Sequence, residues 1–136
     1  MAVEYEQVSH LSCDDFIGIL QRSGLAERRP VTDKERMERM LQHANLILIA
    51  RDMDTGLPIG VARSLTDFSY CCYLSDLAVD KRYQGRGIGK RLIAETRKAA
   101  GPECMCLLVS APGAVSFYEA IGMPRTENAF LYGRDR

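Results

Sequence analysis

One stretch limits what this chain can fold into more than any other. A short apolar run, Tyr73–Val79, is broken by charge at Asp80–Tyr83 and leads into glycines at alternate positions, Gly85, Gly87 and Gly89. Ile88, Leu92, Thr96 and Ala99 then recur at three- and four-residue spacing, with Ile93 beside them. The first run has the length of a buried strand, and the second has the period of a helix with one buried face. Glycines let the backbone turn sharply and come close to a ligand. The first amides of a helix have no internal acceptors, and the helix dipole adds partial positive charge to them. A glycine turn that opens a helix is therefore expected to hold an anion, most often phosphate. Lys81, Arg82, Arg86, Lys90, Arg91, Arg97 and Lys98 gather here against Asp80 and Glu95, in a chain whose 18 basic and 18 acidic residues cancel.

Three kinds of phosphate loop compete. A Walker loop needs Ser or Thr after Gly-Lys, but Gly89-Lys90 is followed by Arg91. A dinucleotide loop needs G-x-G-x-x-G, and the third glycine would fall on Lys90 or Leu92. The third pattern fits. Gln84-x-x-Gly87-x-Gly89, after Leu77-Ala78-Val79, resembles the acetyl-CoA pyrophosphate loop of the GNAT superfamily of N-acetyltransferases. Ala114-Val115-Ser116-Phe117-Tyr118-Glu119-Ala120-Ile121-Gly122-Met123 is similar to that family's C-terminal A-x-x-F/L-Y-E-x-x-G-F segment. The likeness is strong over Tyr73–Met123 and has no motif support elsewhere.

The resemblance implies an α/β (α+β) fold: a mixed, mostly antiparallel sheet with helices on both faces and a splayed parallel strand pair. It implies one domain over residues 1–136, acetyl-CoA as acetyl donor, no metal, and transfer to a primary amine of a small molecule or protein. The pantetheine arm is expected against the backbone of Leu77, Ala78 and Val79. The pyrophosphate is expected on the amides of Gln84, Gly85, Arg86, Gly87, Ile88 and Gly89, with Arg86 and Lys90 supplying charge. Arg82 and Arg91 either reach the 3′-phosphate or are simply solvated. Many family members carry a cofactor-binding asparagine after the central strand. Here Ala111-Pro112 stands at that point, so that backbone or Ser110 substitutes, or cofactor binding is weaker.

Tyr118 stands at the family's tyrosine position and is the expected general acid for the leaving sulfur, besides touching the cofactor. A phenol with a pKa near 10 can pass a proton to a thiolate when positioned; otherwise Tyr118 packs its ring in the core. Asp76 interrupts an apolar strand, and a charge there needs a reason. It serves as general base through water, binds the substrate ammonium, or anchors a hydrogen-bond network. Tyr70 and Tyr73 are weaker candidates for the acceptor pocket, and Tyr83 is expected to pack beneath the loop. The first two helices are expected to shape substrate choice. A non-catalytic acyl-CoA-binding sensor or scaffold remains the alternative.

The rest of the chain fills in the architecture. Ala2–Val8 alternates loosely, as a strand would. Ser12 is placed to cap a helix over Cys13–Ser23, and Gly24 to stop it. Thr32 and Glu35 read as a capping box for a helix over Asp33–Ala44, with Met37, Met40, Leu41 and Ala44 inward. Leu46–Arg51, Ile59–Leu65 and Tyr70–Val79 form an antiparallel set, with a turn at Asp54-Thr55-Gly56. Gly101-Pro102 stops the organising helix. Cys104–Ser110 reads as a central strand covered on both faces, Ala114–Ile121 as a short helix, and Ala129–Tyr132 as a last strand beside Cys104–Ser110.

At 136 residues the chain can bury roughly two-thirds of its unfolded surface. It has no apolar run of about 18 residues and no basic leader, so neither membrane nor export is expected. The five cysteines show no C-x-x-C spacing and read as reduced thiols of a cytoplasmic protein. Neutral charge and the lack of tryptophan and of aromatic–basic interleaving argue against nucleic acid. Phe130-Leu131-Tyr132 suits a homodimer contact or a monomer's core equally.

Overall fold

The computed structural model describes residues 2–136. Five strands form one sheet in chain order: β1 (Val3–Val8), β2 (Leu46–Asp52), β3 (Pro58–Thr66), β4 (Cys71–Val79) and β5 (Met105–Leu107). The first three pairings are antiparallel, and β4 with β5 is parallel. Helices α1 (Cys13–Ser23) and α2 (Lys34–His43) cover one face. Helix α3 (Ile88–Ala100) covers the other, and the short α4 (Val115–Ala120) follows β5. The mixed sheet, its single parallel pair and its two-sided helical cover are as the sequence reading expects.

Local chemistry sets the helix ends. Ser12 Oγ accepts from Asp15 N at 3.1 Å, and Gly24 closes α1 at φ 88°. Phe16, Ile19 and Leu20 are fully buried beneath that helix, and such burial stabilises by about 1.5–3 kcal/mol per side chain. The cap of α2 lies one residue later than expected. Asp33, not Thr32, accepts from Arg36 N. The reason is the turn before it: Asp33 N donates to Pro30 O, which places Thr32 inside that turn.

The sheet divides two cores. Along β2, Ile47 and Ile49 face α1 and α2, whereas Leu46, Leu48 and Ala50 face α3. β4 would alternate in the same way but for one extra residue. Arg63 pairs with Asp76 and Ser64 pairs with Leu74, so Ser75 is a bulge. A bulge resets which face the following side chains take. Cys72 and Leu74 therefore pack with α3, while Asp76 and Ala78 turn toward α1 and α2.

Two expectations fail at the end of the sheet. The strand expected over Cys104–Ser110 is only Met105–Leu107, and it forms an edge rather than a covered centre, with Met105 57% exposed. A short apolar run looks the same in either setting. The last strand expected over Ala129–Tyr132 does not form. Phe130 is 98% exposed, and this end of the chain reaches α2 instead, where the Arg136 carbonyl accepts from Arg36. Strand propensity there has no partner to act on, and it is packing that gives it effect.

The cap reassignment can be tested directly. Asp33→Ala should cost about 1 kcal/mol in urea unfolding, and Thr32→Ala much less; equal losses would return the cap to Thr32.

Candidate active site

The site begins where β4 loses its neighbour. Parallel pairing joins Cys71, Cys72 and Tyr73 to Met105, Cys106 and Leu107, and goes no further. From Leu74 to Val79 the β5 side of β4 has no strand beside it among the described residues, although β3 pairs along the other side up to Val79. Leu77, Ala78 and Val79 all lie on this open stretch. One of its acceptors is already used, since Gln84 Nε2 donates to the Val79 carbonyl at 2.9 Å.

The glycine turn continues from that end of β4. Gly85 and Gly87 both have φ of 80°, a left-handed conformation that glycine reaches without strain. Gly87 sits at the N-cap of α3 and offers no capping side chain. The first bond of the helix runs from Arg91 N to Gly87 O. The amides of Ile88, Gly89 and Lys90 thus have no acceptor within the helix. Gly89 is buried, and a Cβ there would come within 2.8 Å of Phe117 Cζ, so its small size lets α4 close over the helix start.

The base of the turn is tied down. Asp80 is buried and takes both the Arg22 and the Arg82 guanidinium. Burial pushes its carboxyl up, but hydrogen bonds and charge from Arg82, with help from Arg22, hold it below the usual carboxylate range. Tyr83 packs under the loop as expected, its hydroxyl donating to Asp52 at 2.6 Å. The Arg82 and Arg86 guanidinium groups lie over its ring. Arg91 stacks on Tyr5 and pairs with Glu95. Lys90 is exposed and has no ion-pair partner among the described residues. It lines two clefts, one of about 460 Å³ between α3 and β5 and one of about 380 Å³ beside Arg86 and Tyr5.

Tyr118 projects from α4 into the cluster on the α3 face, its ring edge-on to Phe117 at 5.0 Å. Its hydroxyl has no hydrogen-bond partner among the described residues. Burial pushes its pKa above 10, and the charge of Arg29 pulls against that rise. Ser110 Oγ is turned to its own backbone, donating to Ala111 O at 2.7 Å. Tyr70 and Tyr73 are exposed, with Tyr73 between Leu65 and Leu107 in the sheet register.

Asp76 is fully buried, and each carboxylate oxygen takes a guanidinium, Arg29 Nε on Oδ1 and Arg63 Nε on Oδ2. Arg29 also donates to the Ser75 carbonyl, and Arg63 to Ser75 Oγ and the Met40 carbonyl. The network alternative raised for Asp76 thus has named partners. Sequence reading named neither arginine: Arg29 lies between the first two helices, and Arg63 within the run read as a strand over Ile59–Leu65. A lone arginine in a run such as Val61-Ala62-Arg63-Ser64-Leu65 was the available signal, since a charge in a buried strand needs a partner.

Known proteins share this fold. A GCN5-related N-acetyltransferase of Arabidopsis thaliana, a chloroplastic protein, is 29% identical over 96 residues, 68% of this chain. The match spans about half, 48%, of that relative's length. A GNAT family acetyltransferase from Streptococcus pneumoniae superposes with a TM-score of 0.75 at 20% identity, covering 99% of this chain and 100% of that one. An aminoglycoside N-acetyltransferase, AAC(6')-Iy, solved in complex with CoA, superposes at 0.71 with 20% identity, covering 99% and 96%. The model of the acetyltransferase (GNAT) domain matches residues 19–131. The open edge of β4, the glycine turn on α3 and the tyrosine on α4 thus sit in a chain that belongs to the GNAT acetyltransferase family.

Proposed function

We propose that this chain is an acetyl-CoA-dependent N-acetyltransferase acting on a primary amine of a small molecule or protein. The observation that carries the reading is the parting of β4 from β5 after Tyr73, with the glycine turn following the open stretch and, in the cluster on the α3 face, a tyrosine hydroxyl that has no partner among the described residues. An extended amide-bearing arm can lie in that gap and bond to backbone that has no neighbouring strand. Leu77, Ala78 and Val79 then hold the pantetheine. The amides from Gly85 to Gly89, with Arg86 and Lys90, hold the pyrophosphate, and Gln84 fixes the entry to the turn. Arg82 and Arg91 have carboxylate partners of their own, so the charge on this side is assigned to Arg86 and Lys90. Ser110 contributes through its backbone, because its hydroxyl is engaged.

In the reaction the amine, once it has lost its proton to solvent, attacks the thioester carbonyl. An N–C bond forms, the carbonyl oxygen takes up negative charge, and the C–S bond then breaks. The departing thiolate takes the Tyr118 proton, the new amide nitrogen sheds its extra proton to solvent, and the phenolate is reprotonated from solvent. Holding donor and acceptor together supplies much of the rate, since alignment alone is worth several kcal/mol, about 7–11 in the best cases. Both oxygens of Asp76 are engaged by guanidinium groups, so its place in this scheme is to hold Arg29 against Ser75. The AAC(6')-Iy complexes hold CoA and a bisubstrate analogue built on an acetylated neamine, which supports an amine acceptor of some kind here. Five free thiols support a reducing compartment such as the cytoplasm. The exposed Phe130-Leu131-Tyr132 segment supports a homodimer; a two-chain mass in light scattering would agree, and a one-chain mass would exclude it.

Titration calorimetry should show saturable binding of acetyl-CoA and none of ATP or NAD; a folded protein that binds neither acetyl-CoA nor CoA would sink the reading. Tyr118→Phe should lower kcat by about 10²–10⁴-fold in a thiol-release assay over an amine panel, with acetyl-CoA affinity retained. Unchanged turnover would remove Tyr118 as the acid. Gly87→Ala places a Cβ at φ 80° and should cost about 1–2 kcal/mol of stability while weakening acetyl-CoA binding; full affinity would free the turn from its assigned role.

A further inference from the structure

Where β4 parts from β5, one face of the sheet carries a bare apolar pair beside a charged one. Cys72 and Leu74 belong to the α3 cluster, so the strand's alternation puts Tyr73 on the opposite face. There it pairs with Leu65 of β3 and Leu107 of β5, and Tyr73–Leu107 is the last rung that β4 and β5 share. Leu65 is 39% exposed and Tyr73 41%, although the face they stand on is covered elsewhere by α1 and α2. The next pair of β3 and β4 on this face is Arg63 with Asp76, the bulged Ser75 taking up the extra residue. Residues two apart on a strand lie about 7 Å from one another, so the two pairs adjoin.

The charged pair is lopsided. Arg29 and Arg63 share the carboxylate of Asp76, the one anion in ion-pair contact with either among the described residues. Arg63 also reaches the Met40 carbonyl and Ser75 Oγ, and only 7% of its side chain is exposed. Arg29 is more open, at 19%. It gives one bond each to Asp76 Oδ1, the Ser75 carbonyl and the Arg28 carbonyl. A guanidinium carries about five N–H donors, so Arg29 keeps donors for a further acceptor among the described residues. Unspent donors and an excess of positive charge suit a carboxylate, which arginine takes through parallel bonds. The same excess opposes a polycation, because like charges set side by side repel.

We propose that the acceptor is a free α-amino acid with an apolar side chain: Arg29 takes its carboxylate, and Leu65 and Tyr73 take its side chain. This rests on the cofactor site proposed above. An arm that starts at the glycine turn and runs along Val79, Ala78 and Leu77 brings its thioester toward Ser75 and Tyr73, the closed end of the gap. Arg29 is fixed at the Ser75 carbonyl, on the open stretch of β4 itself. A carboxylate held there leaves the amine, one carbon away, at the thioester. The side chain on that same carbon then lies along the bare face. Transfer converts the amino acid to its N-acetyl derivative and releases CoA as the thiol.

The test compares acceptors on the unaltered protein, by thiol release at saturating acetyl-CoA. Phenylalanine should exceed phenylalaninol, in which a hydroxyl replaces the carboxylate, by about 10–100-fold in kcat/KM, the range for one charged hydrogen-bonded contact. It should exceed alanine about tenfold, for the buried ring, and neamine, a polycation, should be poorest. Arg29→Gln should remove the difference between phenylalanine and phenylalaninol, and Tyr73→Ser the difference between phenylalanine and alanine. A role of Arg29 in folding alone would lower phenylalanine and phenylalaninol alike, and that result overturns the proposal. So does parity of the two in the unaltered protein, or a preference for neamine; either leaves acetyl transfer itself standing. If Arg29→Gln does not fold, the comparison on the unaltered protein decides alone. A second copy covering this face would show as a two-chain mass that Tyr73→Ser halves with acceptor preference unchanged, which also overturns it. Failure to bind acetyl-CoA, or to acetylate any amine, would instead defeat the proposed function.

Discussion

Everything at this site depends on β4 having a neighbour for only part of its length. Three residue pairs join it to β5 before the two strands part. Backbone polar groups left open inside a protein need partners, and the open stretch finds two kinds. Some are internal: Gln84 on the Val79 carbonyl and Arg29 on the Ser75 carbonyl. For the others we propose a ligand with amides of its own.

The bulge at Ser75 is the second device. Without it, Asp76 would share a face with Cys72 and Leu74, in the apolar cluster under α3. A carboxylate there would have no partner, and an isolated buried charge is strongly unfavourable. The extra residue turns Asp76 to the side where Arg29 and Arg63 wait. Breaking such a buried pair by removing one partner typically costs about 3–5 kcal/mol. Stability and site geometry are therefore joined here: the interaction that satisfies Asp76 also fixes Arg29 at the gap.

What could be read in advance follows from which signals are local. The glycine turn, the helix behind it and the caps at Ser12 and Gly24 are written in neighbouring residues, and the structure has them as expected. The paired strands through β4 were legible because apolar runs separated by turns leave few alternatives. The cap of α2 shifted by one residue because a backbone turn at Pro30, not side-chain preference, chose the position. The short β5 and the missing final strand were not legible, since whether an apolar run is covered depends on what comes to lie beside it. The bulge was hidden for a related reason: it is a mismatch between two strands and belongs to neither sequence alone.

The most direct measurement is hydrogen–deuterium exchange at single-residue resolution, with and without CoA. The account predicts protection in two separated places, the open edge of β4 at Ser75–Val79 and the start of α3 at Ile88–Lys90, with β1 and β2 unchanged. Protection confined to the clefts outside α3, or none at saturating CoA, would contradict the claim that the parted strands are the binding site.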